Sequence, residues 1–254
     1  MEKKEKIFCI TAILIICACM LMERAGYRNK EIRETESHGA SNGLSGTDNK
    51  KTAFLTFDDG PSCLTANYLD ILKEEGVKAT FFLIGQQIDS DMAEIVKREI
   101  DEGHEIGIHT YCHEANEIYA TQDSCYKDVM KIKDQLERQF NYDAKLVRFP
   151  WGSANGYMSP FRTNIIDMIH KNGLEYEDWN VSAEDSVGTP TVDSILNNIR
   201  KDYKKYDEPV ILMHDSGCNK KTLEALRSII KELKEAGYNF STLSERKNPC
   251  HFLE

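Results

Sequence analysis

Five short segments of this chain hold ionisable side chains suited to hydrolytic chemistry: Asp58 with Asp59, His109 with His113, Arg148, Asp185 and His214. His109 and His113 are four residues apart. On one helical turn that spacing puts both imidazoles on one face, within reach of a single ion. Two histidines and one carboxylate form a ligand set that leaves positions open for water and substrate. Such a set suits a hydrolytic zinc and equally a non-haem Fe(II). Asp58 and Asp59 point in different directions because they are adjacent, so one can bind metal while the other serves as a base. The plainer alternative for these two is a pair of acids at a solvated strand end.

These residues need a frame, and the hydrophobic pattern supplies one. Short apolar runs alternate with helix-period segments. Strands are predicted at Thr52–Phe57, Ala79–Ile84, Glu105–His109, Lys145–Phe149, Leu174–Val181, Val210–His214 and Tyr238–Thr242. Helices are predicted at Thr65–Glu75, Met92–Glu102, Ser124–Phe140, Ser159–Asn172, Val192–Tyr203 and Lys220–Ala236, several stopped by Gly76, Gly103, Gly173 or Gly237. Strict βα alternation implies a parallel sheet with helices outside. About seven units fit a barrel better than a wide flat sheet. In such folds the active site lies beyond the carboxyl ends of the strands, which is where all five ionisable segments fall.

The segments together resemble the polysaccharide deacetylase family of carbohydrate esterases, whose catalytic unit is the NodB-homology domain. Thr56-Phe57-Asp58-Asp59-Gly60-Pro61 is similar to its first motif and His109-Thr110-Tyr111-Cys112-His113 to its second. Arg148-Phe149-Pro150-Trp151-Gly152 resembles the third and Leu212-Met213-His214 the fifth. The likeness runs from about Thr52 to Leu243. It implies an α/β fold, a distorted (β/α)7 barrel of the NodB-homology type.

By this resemblance Asp58 is the general base, and Asp59, His109 and His113 hold a divalent metal. The metal expected is Zn2+, with Co2+, Mn2+, Ni2+ or Fe2+ as alternatives. Arg148 orients the base carboxylate, and His214 is the general acid, its pKa raised by Asp185. The substrate-binding set implied is Phe149, through its backbone N–H on the oxyanion, with Pro150, Trp151 and Leu212. Trp151 is either a sugar platform or rim packing. The fourth motif departs from the family pattern: Ser182 stands for its first acid and Ser186 for its last aromatic, while Asp185 keeps the second acid. The nearby Asp178-Trp179 pair lies before the rim and is not read as the catalytic acid.

The rest of the chain sets the context. Met1–Lys6 holds three lysines, and Ile7–Met22 then runs sixteen residues without a charge. A basic start followed by an apolar run reads as a signal-anchor or signal peptide over residues 1–24, with lipidation at Cys19 as a third option. The flanking lysines favour the remainder outside the cytoplasm. Residues 25–50 read as a flexible stalk, residues 51–245 as the deacetylase domain, and residues 246–254 as a tail. A net charge of −10 excludes a general nucleic-acid binder and a protein held to anionic lipid by charge alone. Of the eight cysteines, five lie in the outer part, none as C-x-x-C, and Cys63 and Cys218 flank the rim closely enough to suggest a disulfide.

The expected function is therefore a metal-dependent hydrolase that removes N-acetyl groups from N-acetylglucosamine residues of a cell-wall polysaccharide, peptidoglycan first. It is expected outside the cytoplasm, anchored to the cell membrane by residues 7–22, or secreted, or lipidated. Chitin oligomers or xylan are alternative substrates. A non-catalytic glycan-binding pseudoenzyme, suggested by the altered fourth motif, and a soluble non-haem iron oxygenase are alternative functions.

Overall fold

The computed structural model describes residues 51–253. Three parallel strands form its centre: β1 (Thr52–Gly60) lies between β2 (Thr80–Ile84) and β7 (Val210–His214). The sheet continues from β2 through β3 (Glu105–Thr110) and β4 (Leu146–Val147) to β5 (Glu175–Tyr176). On the other side β7 pairs with β6 (Val181–Ser182), and β8 (Asn239–Phe240) pairs with the start of β1. Every pairing is parallel, so the connections must cross over, and helices fill them. These are α1 (Thr65–Glu75), α2 (Ser90–Asp101), a single turn α3 (Ala115–Ile118), α4 (Gln122–Phe140), α5 (Arg162–Lys171), α6 (Val192–Asp202) and α7 (Lys220–Glu235). The sheet curls into the expected distorted barrel. Among the described residues no pairing joins β5 to β6, so the barrel is open there.

The helix boundaries have local causes. Asp89 caps α2 by accepting from the N–H groups of Asp91 and Met92. Thr121 with Ser124, and Thr191 with Ser194, form reciprocal capping boxes on α4 and α6. Gly76 ends α1 in the left-handed conformation, φ 65°, where a side chain would be strained.

The two-residue period of the strands then sorts side chains into an outer and an inner layer. Leu55 and Phe57 on β1, Phe81 and Leu83 on β2, and Ile106 and Ile108 on β3 join the large core shared with the helices. Phe54, Phe82, Leu146, Val210 and Leu243 instead meet in a smaller cluster inside the curled sheet. Two residues further on, the same inward face carries Thr56 on β1, Arg148 just past β4 and Leu212 on β7, and the strand ends carry Asp58 and His214. The barrel interior is thus apolar at the bottom, and the ionisable side chains gather at the top.

The strand expected over Leu174–Val181 is two strands, β5 and β6, on opposite edges of the sheet. The chain leaves strand geometry between them because the carbonyls of Glu177 and Asp178 turn to accept hydrogen bonds from Arg148. The anchor over residues 1–24 and the stalk over 25–50 lie outside the described residues. Among the described residues no helix is long and apolar enough to cross a membrane.

One core residue is polar without a partner. Glu99 on α2 is fully buried, and neither carboxyl oxygen has a hydrogen bond. Burial, helped by the charge of Asp215, pushes its pKa well above the ordinary 4.5. The folded chain therefore keeps this proton to a higher pH than the unfolded chain does. Its contribution to stability is fullest below about 4.5 and declines as pH rises toward the folded-state value, by at most about 1.4 kcal/mol per unit. Replacing it by methionine, Glu99→Met, removes that slope. In urea unfolding between pH 4 and 8 the variant should gain on the wild type steadily as pH rises, and a pH-independent difference would refute this account.

Candidate active site

The top of the barrel is organised by Arg148, which is completely buried. Nη1 donates to Asp58 Oδ1 at 3.0 Å and to Thr56 Oγ1 at 2.7 Å. Nε donates to the Glu177 carbonyl at 3.0 Å and Nη2 to the Asp178 carbonyl at 2.8 Å. The guanidinium lies 4.2 Å from the centre of the Phe82 ring, which closes the apolar cluster beneath it. Asp58 is thereby fixed at the end of β1, buried, with its carboxylate pinned from one side.

Asp59 reaches the same site by a backbone irregularity. In the register with β2, Asp58 faces Phe82 and Gly60 faces Leu83, so Asp59 is the extra residue of a bulge, with φ 72°. Its Oδ1 stands 3.4 Å from His109 Nε2 and 3.3 Å from His113 Nε2. His109 does not lie on a helix, as the four-residue spacing suggested. It is at the end of β3, while His113 sits in the following turn with φ 55°. The loop, not a helix face, brings the two rings to 5.2 Å.

These three residues fit a metal ion. Asp59 Oδ1 is buried and has no hydrogen-bond partner. One ligand atom from each of Asp59, His109 and His113 lies within 4.8 Å of the others. His109 donates from Nδ1 to the Arg148 carbonyl at 2.7 Å, which leaves the Nε2 lone pair turned to Asp59. Burial by itself would raise the Asp59 carboxyl, but contact with His109 and the charges of His113 and His214 outweigh it and hold the group well below the usual carboxylate range. Burial lowers His113, favouring the neutral ring a metal requires.

His214 ends β7 directly across from Asp58. Its Nδ1 donates to Asp185 Oδ1 at 2.8 Å, and its backbone N–H to Asp185 Oδ2 at 2.9 Å. Thr222 Oγ1 also donates to Oδ2, at 2.7 Å. Burial would lower the His214 pKa; the charge and hydrogen bond of Asp185, then Asp59 and Asp58, push it up to about 9. Asp185, not Asp178, thus partners the histidine, and Ser182 and Ser186 leave that partnership intact.

The residues expected to touch substrate divide. Phe149, Pro150 and Leu212 are buried; Phe149 has its backbone N–H to offer, whereas the Pro150 carbonyl already accepts from the Tyr119 hydroxyl and Asn155 Nδ2. Trp151 is half-buried, with φ 64° and its ring 5.2 Å from His113 and 5.7 Å from Tyr157. Cys63 and Cys218 are both exposed free thiols, so the suggested disulfide is not formed. Cys112 lies outside the ligand group.

Sequence reasoning missed two acids that hold the rim, Asp128 and Asp215, and the supporting use of a third, Asp178, which it had only set aside as a catalytic acid. Asp128 on α4 accepts from Thr110 Oγ1 at 2.6 Å, from Tyr111 N at 2.7 Å and from Cys112 N at 3.3 Å, bracing the loop between the two histidines. Asp215 accepts from the hydroxyls of Ser62 and Thr65 and bonds the Asp58 carbonyl through its own N–H. Asp178 accepts from the N–H and hydroxyl of Ser153. Asp128 resembles any other helix acid, and nothing in the sequence marked it. Asp215 follows His214 directly, so its place at a strand end was the one available signal.

Comparison with known proteins supplies the family and the fold. The family model described as polysaccharide deacetylase matches residues 45–176. A peptidoglycan-N-acetylglucosamine deacetylase of Bacillus cereus is 33% identical over 215 residues, covering 80% of this chain and 73% of that protein. A bifunctional xylanase/deacetylase of Pseudobutyrivibrio xylanivorans is 35% identical over 218 residues, 83% of this chain but 33% of the larger protein. Among solved structures, the catalytic domain of the peptidoglycan N-acetylglucosamine deacetylase of Eubacterium rectale superposes with a TM-score of 0.74 at 29% identity, covering 83% of this chain and 96% of that one.

Support of the histidine loop is testable without substrate. In calorimetric titration with Zn2+, Asp128→Asn should weaken binding by about 10–100-fold relative to the wild type. Equal affinities would remove Asp128 from that support.

Proposed function

The chain belongs to the polysaccharide deacetylase family, and from that membership we propose that it is a metal-dependent hydrolase removing N-acetyl groups from N-acetylglucosamine residues of a cell-wall polysaccharide, peptidoglycan in the first place. The observation that carries this reading is a pair of couples beside the Asp59–His109–His113 donor set. Asp58 is paired with Arg148, and His214 with Asp185, facing each other across β1 and β7. A proton acceptor and a proton donor so placed serve hydrolysis; a glycan binder needs neither.

In this scheme the acetyl carbonyl lies over Asp59, His109 and His113, with Trp151 beside the sugar. A divalent ion held by those three residues would polarise the carbonyl and bring the pKa of water toward about 7. Asp58, held by Arg148, accepts the proton of the attacking water. The Phe149 N–H meets the developing oxyanion. His214 is protonated at neutral pH, with Nδ1–H engaged by Asp185, so Nε2 gives the proton to the departing sugar nitrogen. The roles require no residue from the altered part of the fourth motif. The apolar run at residues 7–22, read as an anchor, supports a site of action outside the cytoplasm and at the membrane, beside wall glycan.

Acetate release from purified peptidoglycan is the direct test. Asp58→Asn and His214→Ala should each reduce the rate by about 10²–10⁴-fold while glycan binding persists. Release from chitooligosaccharide or acetylated xylan alone would move the substrate. No release from any acetylated glycan, with the divalent ion demonstrably bound, would reject the enzyme and leave a glycan-binding protein.

The acid also predicts a pH profile. His214 must carry its proton, and Asp185 is the first of the groups that raise its pKa, so activity falls on the alkaline side as that proton is lost. Asp185→Asn should move the alkaline limb of kcat down by more than one unit, toward the ordinary histidine value of about 6.5. A limb that does not move would assign it to another group.

A further inference from the structure

Residues 250–252 lie against the open edge of the barrel, along β5 and the segment leaving it. Asp178 N donates to the Cys250 carbonyl at 2.7 Å, and Cys250 N donates to Glu177 Oε2 at 2.9 Å. The His251 ring lies flat on Tyr176, with centroids 3.7 Å apart, and bonds the Tyr176 carbonyl at 3.0 Å. Phe252 N donates to Asp178 Oδ2 at 2.8 Å, and the Phe252 ring meets Trp179 edge-on at 4.7 Å.

The same Asp178 carboxylate, 1% exposed, accepts from Ser153 N at 2.8 Å and from the Ser153 hydroxyl. One buried acid therefore holds both the 250–252 segment and the turn that carries Trp151. A second contact joins them. A Cβ built on Gly152 would lie 2.6 Å from the Phe252 ring and 3.2 Å from Trp179, so Phe252 presses directly on the backbone of that turn. Trp151 and Gly152 both have left-handed backbone, φ 64° and 78°. A tryptophan holds that conformation when its surroundings impose it, and Phe252 with Asp178 are the surroundings on this side. The proposed chemistry uses neither side chain.

We infer that the 250–252 strap, through Phe252 and Asp178, is a positioning device for the Trp151 turn. It sets the wall against which the sugar lies, a consequence that rests on the site being a deacetylase. Phe252 touches no reacting group. Arg148 keeps its bonds to Asp58, Thr56 and Glu177 without the strap, so loosening the strap weakens substrate binding and spares the chemical step.

The chain has two tryptophans, Trp151 and Trp179. In a Trp179→Phe background Trp151 is the one tryptophan, and its fluorescence, excited beyond tyrosine absorption, reads the turn without substrate. The full-length chain, purified in detergent, is compared with Phe252→Ala and Phe252→Tyr in that background. Phe252→Ala should red-shift Trp151 emission and increase its quenching by acrylamide. It should raise KM for N-acetylchitotetraose by about threefold to tenfold with kcat within about twofold, the range of one aromatic contact. Phe252→Tyr should restore both. Unchanged Trp151 emission and KM with a lowered Tm would overturn the inference, leaving a strap that merely stabilises. A fall in kcat at constant KM would also overturn it, by assigning the strap to Arg148. If the wild type releases no acetate from any glycan, the proposed function fails, while Trp151 fluorescence still decides whether the strap holds the turn.

Discussion

A guanidinium taken wholly out of water must find acceptors for its donors, and much of this molecule is arranged around meeting that condition for Arg148. Its partners are one carboxylate, one hydroxyl and two backbone carbonyls, drawn from β1 and from the segment after β5. The carbonyls of Glu177 and Asp178 can face it because the chain stops being a strand there, and that break is what leaves the sheet open between β5 and β6. Its own carbonyl accepts from His109 and so fixes the tautomer of a metal-facing ring. One buried cation thus connects the proposed base, the proposed metal set and the shape of the barrel.

The rim is built from backbone that ordinary residues avoid. Asp59, His113, Trp151 and Glu184 all have positive φ; Asp59 is in the bulge at the end of β1, and the other three lie in loops at the carboxyl ends of strands. Each costs on the order of 1–3 kcal/mol and persists only where neighbours hold it. Those neighbours are buried or half-buried acids taking several N–H and O–H groups each: Asp128 under the histidine loop, Asp215 under the β1 loop, Asp178 under the Trp151 turn, and Asp185 behind His214. This accounts for a site that is charged and buried, yet opens to solvent at Asp59, His113 and His214.

The altered fourth motif illustrates how little of a motif the geometry needs. Ser182 and Ser186 replace an acid and an aromatic, but Asp185 is held by His214, Thr222 and a bond from Asn219 to its carbonyl. The acid that matters is the one with a place in that network. Asp178, beside Trp179, has the local appearance of the motif and a different use.

By itself the sequence determined the alternation of strands and helices, because hydrophobic period and helix stops are local properties. It also determined which ionisable side chains gather, since residues at the carboxyl ends of parallel strands must share one rim whatever the details. The tertiary structure decided how they meet. The bulge that turns Asp59 toward the histidines depends on the register with β2, and a register is a relation between strands that neither encodes alone. The four-residue spacing of His109 and His113 suggested a helix, but β3 continues to Thr110, and the loop is shaped by Asp128 on a distant helix. The break between β5 and β6, and the docking of residues 250–252 across it, answer to a buried guanidinium and an open sheet edge. Both arise only once the chain has folded, when water is no longer there to satisfy them.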